Sequence, residues 1–240
     1  MISAGTVVEL DDVTFRWPGQ SHDTIAIDTL ALHAGEHLFV RGASGSGKTT
    51  LLNVLAGIHV PTSGRIRLLG TDIAALSASR RDQFRADHIG VVFQQFNLLP
   101  YLSILENVTV SFAFSRSKRR RGASTADANA TAGRLLRSLN LPDDLHSSPV
   151  AELSVGQQQR VAVARALIGG PEVLIADEPT SALDADNRDR FLDLLFDEVD
   201  AHGCTLIFVS HDPALATRFT RVIELTETDS GPPTGRPTPT

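Results

Sequence analysis

Cysteine occurs once in this sequence, at Cys204. A lone cysteine excludes an intrachain disulfide and a cysteine-built metal cluster. It lies in the apolar run 204–209, so a buried, unreactive thiol is expected. Long hydrophobic runs are also missing. No stretch approaches the roughly 20 apolar residues that span a bilayer. Residues 1–12 have neither a basic start nor a long apolar run, so no signal peptide is expected. Positive charge is in deficit: the formal net charge is −6, which disfavours a general nucleic-acid binder. No internal repeat is visible. These absences describe a chain kept in the cytoplasm, which meets the inner face of a membrane only through a partner.

What is present is a globular composition. Hydrophobic residues make up 42% of the 240 positions and charged residues 21%, enough for a packed core in one large domain. The stretch that organises the rest is Gly42-Ala43-Ser44-Gly45-Ser46-Gly47-Lys48-Thr49. It fits G-x-x-x-x-G-K-[ST], a loop whose glycines let backbone N–H groups curl around phosphate oxygens. The residues before it, 36–41, are strand-like. Those after it, 49–56, read as a helix that stops near Gly57. A strand–loop–helix context is what this motif needs, because the helix N-terminus adds positive partial charge. Lys48 is placed to reach β- and γ-phosphates, and Thr49 to offer a hydroxyl to Mg²⁺.

In chain order, 7–10 and 13–15 read as the first strands, with 25–27 and 30–32 as further ones. Residues 66–70 alternate like an edge strand, and 79–86 suit a short polar helix. The apolar run 89–93 leads into Gln94. Residues 97–114 read as mostly helical after Pro100, with Ser103 as N-cap and Glu106 at capping-box spacing. A basic run at 116–121 reads as a solvated loop rather than a nucleic-acid patch, being short and without interleaved aromatics. Contact with anionic lipid headgroups is a weaker third option. Helical stretches are expected at 126–139, 157–168 and 187–201, and strands at 173–176, 205–209 and 222–225. Residues 226–240, rich in Thr, Pro and Gly, suit a disordered tail. Strands alternating with helices predict an α/β fold with a mostly parallel core sheet. Residues 1–41 look like an antiparallel β-subdomain, and 97 to about 165 like an inserted α-helical subdomain, within one domain spanning 1–225.

Two further motifs carry chemistry. The strand 173–176 ends in Asp177 and Glu178. Asp177 suits Mg²⁺, which prefers oxygen ligands, and Glu178 suits a base that polarises an attacking water. Leu153-Ser154-Val155-Gly156-Gln157 precedes a helix, and a serine hydroxyl with glycine amides there forms a second anion site. One nucleotide needs one phosphate loop, so a second such site implies another copy of the chain.

With these residues assembled, the sequence over about 7–225 resembles the nucleotide-binding subunit of an ATP-binding cassette (ABC) transporter, a P-loop ATPase. Leu153 to Gln157 resembles the signature LSGGQ, with Val155 standing where the family has a glycine of the GG pair. Gln94 matches the Q-loop glutamine, Ser181-Ala182-Leu183-Asp184 the D-loop, and Ser210-His211-Asp212 the switch-histidine loop. The resemblance implies ATP and Mg²⁺ as ligands. Lys48, Glu178 and His211 would act in catalysis, and Thr49, Gln94 and Asp177 would serve the metal. Trp17 would stack on adenine, with Phe15 as an alternative. The loop 42–49, Thr50, Gln94, Ser154, Gly156, Gln157 and Asp184 would complete nucleotide binding. It further implies an ATP-dependent head-to-tail homodimer working with integral membrane permease subunits and no nucleic acid. Residues 80–108 resemble the lipoprotein-release, macrolide-export and cell-division group. Soluble relatives acting on DNA or ribosomes usually carry a long coiled coil or a second cassette, and this sequence has neither. A non-catalytic scaffold would not need Glu178 and His211, nor a small-molecule kinase the signature loop.

Overall fold

A computed structural model of the protein describes residues 5–114 and 125–225. The basic run 116–121 and the tail 226–240 lie outside the described residues. Strands β1 (Thr6–Phe15), β2 (Ile25–His33), β4 (Ser63–Leu68) and β5 (Thr71–Asp72) form an antiparallel sheet in the order β2-β1-β4-β5. Strands β3 (His37–Gly42), β6 (Ile89–Val92), β7 (Val173–Asp177), β8 (Thr205–Val209) and β9 (Arg221–Leu225) form a parallel sheet in the order β6-β7-β8-β3-β9.

Strand identity followed the sequence, but sheet membership did not. Residues 1–41 are divided between the sheets. Leu38, Phe39 and Val40 are apolar in succession and fully buried, which suits a parallel strand covered on both faces. So β3 leaves β1 and β2 for the interior of the parallel sheet. Residues 66–70 are not at an edge: β4 lies between β1 and the two-residue β5.

Alternation along the parallel strands makes two cores. Phe39, Leu174, Ala176, Leu206 and Phe208 face one cluster, together with Ile104, Leu135, Leu136 and Val163 from the helices. Leu38, Val40, Val173, Ile175, Ile207 and Val209 face the other, with Leu51 and Leu55 and the antiparallel sheet's Val8, Leu10 and Ile66. Helix α2 (Ala78–His88) packs on β6, while α3 (Ile104–Thr109), α4 (Thr125–Ser138) and α5 (Val155–Leu167) pack on one another, and α5 also packs on β6. The helical stretch thus shares its core with the sheet. Residues 97–102 are not helical; Ser103 caps α3 with Glu106 in the expected capping box. Cys204 is fully buried. Burial pushes its thiol pKa up to about 12, as an unreactive thiol requires.

Candidate active site

The parallel sheet determines where the chemical motifs meet. β6, β7, β8 and β3 are neighbours running the same way. Gln94, Asp177 with Glu178, His211 and the glycine-rich loop each follow the C-terminal end of one of them. Open α/β sheets bind ligands beyond those ends. A cleft of about 860 Å³ opens there, lined by Trp17, residues 44–50, Gln94, Glu178 and His211, with Gln20 to Thr24 on one wall except Ser21.

The loop leaves β3 at Gly42 and turns into α1 (Lys48–Leu55). Gly47 caps that helix with φ of 90°, a conformation costly to any residue with a Cβ. A Cβ there would also lie 2.7 Å from the Thr24 carbonyl. Lys48 is buried, and its Nζ donates to the carbonyls of Gly42 at 2.8 Å and Ala43 at 2.7 Å. Those carbonyls belong to Gly42 and Ala43, the two residues of the loop 42–49 that do not line the cleft. Thr49 Oγ1 donates to Asp177 Oδ2 at 2.9 Å. Two of the three metal-binding candidates, from distant parts of the chain, are therefore in direct contact.

Burial raises the pKa of Asp177. The Thr49 hydrogen bond opposes this, the adjacent Glu178 reinforces it, and Lys48 lowers it. Glu178 has φ of 45°, the left-handed region that costs a residue with a side chain about 1–2 kcal/mol. Its N–H donates to the Val209 carbonyl at 3.0 Å, and its own carbonyl accepts from Ser181 at 3.2 Å. The carboxylate meets His211 Nδ1 at 3.2 Å. An ionised carboxylate only accepts, so Nδ1 is the donor and Nε2 remains for another partner. The His211 loop is tied down in turn: Asp212 accepts from Arg188 Nη1 at 2.5 Å and caps the following turn through Ala214 N–H.

Two features of this region carry no short-range sequence signal. The turn beyond Gln94 has consecutive left-handed residues, Phe96 at φ 57° and Asn97 at 50°. Arg165 of α5 donates to both their carbonyls, at 2.5 and 2.6 Å. Trp17 meets Phe15 and His59 edge-on, each at a centroid distance of 5.0 Å. Phe15 is buried while Trp17 is 37% exposed on the cleft. Of the two aromatic candidates, only Trp17 lines the cleft.

Ser154, Gly156, Gln157 and Asp184 are absent from the cleft's lining. The helix beyond the signature-like segment starts at Val155, not at 157, because Ser154 and Gln157 form a reciprocal capping box. Val155 sits in that first turn, 48% exposed, where the backbone is helical and needs no glycine. A Cβ on Gly156 would make only an ordinary contact, 3.5 Å to Leu183 Cδ2. Asp184 caps α6 (Ala185–Ala201), accepting from Asn187 N at 2.9 Å and Nδ2 at 2.8 Å. These bonds hold its carboxyl below the usual range.

Comparison with known proteins follows the same lines. The family model described as ABC transporter matches residues 27–181. The macrolide export ATP-binding/permease protein MacB of Chromobacterium violaceum is 39% identical over 236 residues, covering 96% of this chain and 35% of its own length. MacB of Rhodopseudomonas palustris strain HaA2 is 41% identical over 224 residues, covering 92% and 33%. The chain thus spans about a third of the length of these relatives. A dimeric structure of the ATP-binding cassette MJ0796 in a post-hydrolysis state, bound to ADP and Pi, superposes with a TM-score of 0.81 at 35% identity. That alignment covers 91% of this chain and 94% of the other. A second dimeric MJ0796 structure, titled a bacterial ABC transporter cassette, matches equally at 34% identity.

Proposed function

We propose a function from the premise that this chain belongs to the ABC transporter family: it is the ATP-binding and ATP-hydrolysing subunit that powers integral membrane permease subunits. The observation that carries this reading is the convergence of Lys48, Thr49, Glu178 and His211 on one cleft beyond the parallel sheet, with Asp177 hydrogen-bonded to Thr49.

The substrate is ATP. Its phosphates lie in the loop 42–49, where they offer Lys48 anionic acceptors in place of the neutral carbonyls of Gly42 and Ala43. Trp17 takes the base on its exposed face. Mg²⁺ fits the residues present: a threonine hydroxyl and a carboxylate in contact are hard oxygen donors, with the Gln94 amide on the same cleft. Among the described residues no cluster of three or more His, Cys, Asp or Glu could hold a metal alone. The nucleotide and water would supply the remaining ligands. When bound, the ion neutralises charge developing on the phosphoryl oxygens. Glu178 orients a water and accepts its proton. His211 holds the Glu178 carboxylate through Nδ1 and turns Nε2 toward the γ-phosphate.

A second copy completes the site. Gly156 is a helical glycine that its own chain's packing does not require, yet it costs about 0.5–1 kcal/mol relative to alanine. An approaching ligand in the closed dimer supplies the requirement, with Ser154 and the N-terminus of α5 facing the γ-phosphate held by the other copy. Asp184 faces the partner across the same interface. MacB, by its name, joins ATP-binding and permease functions in one protein, which supports pairing this ATPase with a permease. Among the described residues no helix is long and apolar enough to cross a membrane. The subunit works on the cytoplasmic face of the membrane, held by that partner. The domain comprises residues 1–225, and two copies close around the nucleotides on ATP binding and open on hydrolysis.

The test is steady-state phosphate release beside ATP affinity for the purified chain and Glu178→Gln. Loss of a general base lowers turnover by about 10²–10⁴-fold, and affinity is expected to stay within about threefold. Turnover near that of the wild type would remove Glu178 as the base.

A further inference from the structure

The strongest feature not absorbed by this reading is the ring cluster at the base end of the cleft. Phe15, Trp17 and His59 are in mutual contact. Phe15 and His59 stack at 5.5 Å with 30° between planes, and the indole stands edge-on to both, at 89° and 77°. Phe15 is Trp17's near neighbour in sequence and lies on the antiparallel sheet. His59 comes from elsewhere. It follows α1, the helix that begins with Lys48, and its N–H donates to the Asn53 carbonyl of that helix at 3.2 Å. Ile58 and Val60 on either side are each 41% exposed, while His59 is partly covered.

Neighbouring bonds fix the two segments together. Arg16 N–H donates to Thr62 Oγ1 at 2.9 Å, and Thr62 N–H donates to the Thr14 carbonyl at 2.8 Å. These set the backbones but leave the indole's own orientation to its ring contacts. Of those contacts among the described residues, His59 alone connects the indole to the phosphate-loop helix.

We propose that His59 is the positioning residue that fixes the Trp17 indole relative to the phosphate loop, and so determines how much of the affinity for a nucleotide comes from its base. The proposal rests on the reading of the cleft as a nucleotide site. A base stacks well only if the platform is at the right distance while the phosphates sit on their loop. An indole held by Phe15 alone rocks about one edge. A second edge contact, from the helix carrying the phosphate site, removes that freedom before the nucleotide arrives.

The test compares His59→Ala, His59→Phe and Trp17→Ala with the wild type by calorimetry. The probes are ADP and inorganic pyrophosphate, which share phosphates but not the base and are not turned over. Trp17 is the only tryptophan in the chain, so intrinsic fluorescence reports its surroundings without ambiguity. An aromatic contact of this kind corresponds to about three- to tenfold in affinity. His59→Ala is expected to weaken ADP binding by that factor, leave pyrophosphate unchanged and shift the free protein's emission to the red. His59→Phe is expected to restore both. Equal losses for ADP and pyrophosphate would mean that His59 merely supports α1, and unchanged ADP affinity would also overturn the proposal. If the wild type binds pyrophosphate and ADP equally, or Trp17→Ala binds ADP as the wild type does, the base platform itself is wrong while the phosphate site stands.

Discussion

Replacing Arg165 with methionine keeps the length and apolar stem of the side chain and removes only the guanidinium. That group donates to the carbonyls of Phe96 and Asn97, the two left-handed residues of the turn beyond Gln94. Burial holds the Arg165 pKa below the usual arginine range, so part of its hydration is already lost in the folded state. Each charge-assisted bond contributes about 1.5–3 kcal/mol, against which the regained cost of burying the charge must be set. The left-handed Phe96 adds about 1–2 kcal/mol of strain that those bonds oppose. The expected net loss is about 2–4 kcal/mol, or roughly 5–12 °C in Tm for a chain of this size. Arg165→Lys, which keeps the charge but not the two-pronged donor, should fall between. Asn97→Gly relieves strain at the second left-handed position and should recover about 1 kcal/mol in the Arg165→Met background. Differential scanning calorimetry gives the stabilities, and phosphate release shows whether turnover falls with the loss of a fixed place for Gln94. A change in Tm within about 1 °C for Arg165→Met would refute the reasoning, since it would mean that the turn holds its shape without the arginine.

Asp177→Asn should raise Tm at pH 7.5 while lowering turnover. Burial raises the Asp177 pKa in the folded state, so ionisation favours the unfolded chain. That penalty is complete above the folded pKa and fades as pH falls through it and then through the unfolded value. The advantage of asparagine should therefore vanish in acid, and a pH series of melting curves checks the sign. Val155→Gly should leave ATP turnover within about tenfold, equivalent to about 1.4 kcal/mol of barrier, because the helical backbone at Val155 already permits a side chain. Complete loss of phosphate release would assign the valine a positive role.

How far the sequence exposes this fold depends on the range of the interaction. The glycine-rich loop, the acidic pair after an apolar run and the Ser103 cap are local patterns, and each is found at its expected place. Pairing between elements is not local. Nothing in residues 63–68 specifies that they join β1 some fifty positions earlier, so β4 reads as an edge strand and β3 as part of the wrong sheet. The strained backbone at Glu178 and Phe96 is equally hidden, because a left-handed glutamate or phenylalanine is contrary to local preference and is imposed by surrounding structure. His59 and Arg165 escape for the same reason. Each acts on residues far along the chain, and a lone histidine or arginine in a helical or turn segment carries no signal of its own.

The central claim is that each ATP is closed between the phosphate loop of one copy and Ser154 to Gln157 of another. Lys48→Ala damages the first element and Ser154→Arg the second. A homodimer of either variant has two damaged sites, whereas a mixed dimer has one site with both lesions and one with neither. In a Glu178→Gln background, which slows hydrolysis and so prevents opening, sedimentation velocity with ATP and Mg²⁺ should show a dimer in the mixture that neither variant forms alone. If the mixture stays monomeric while the unmutated Glu178→Gln chain dimerises, the two elements serve the same site of a single chain and the account is contradicted.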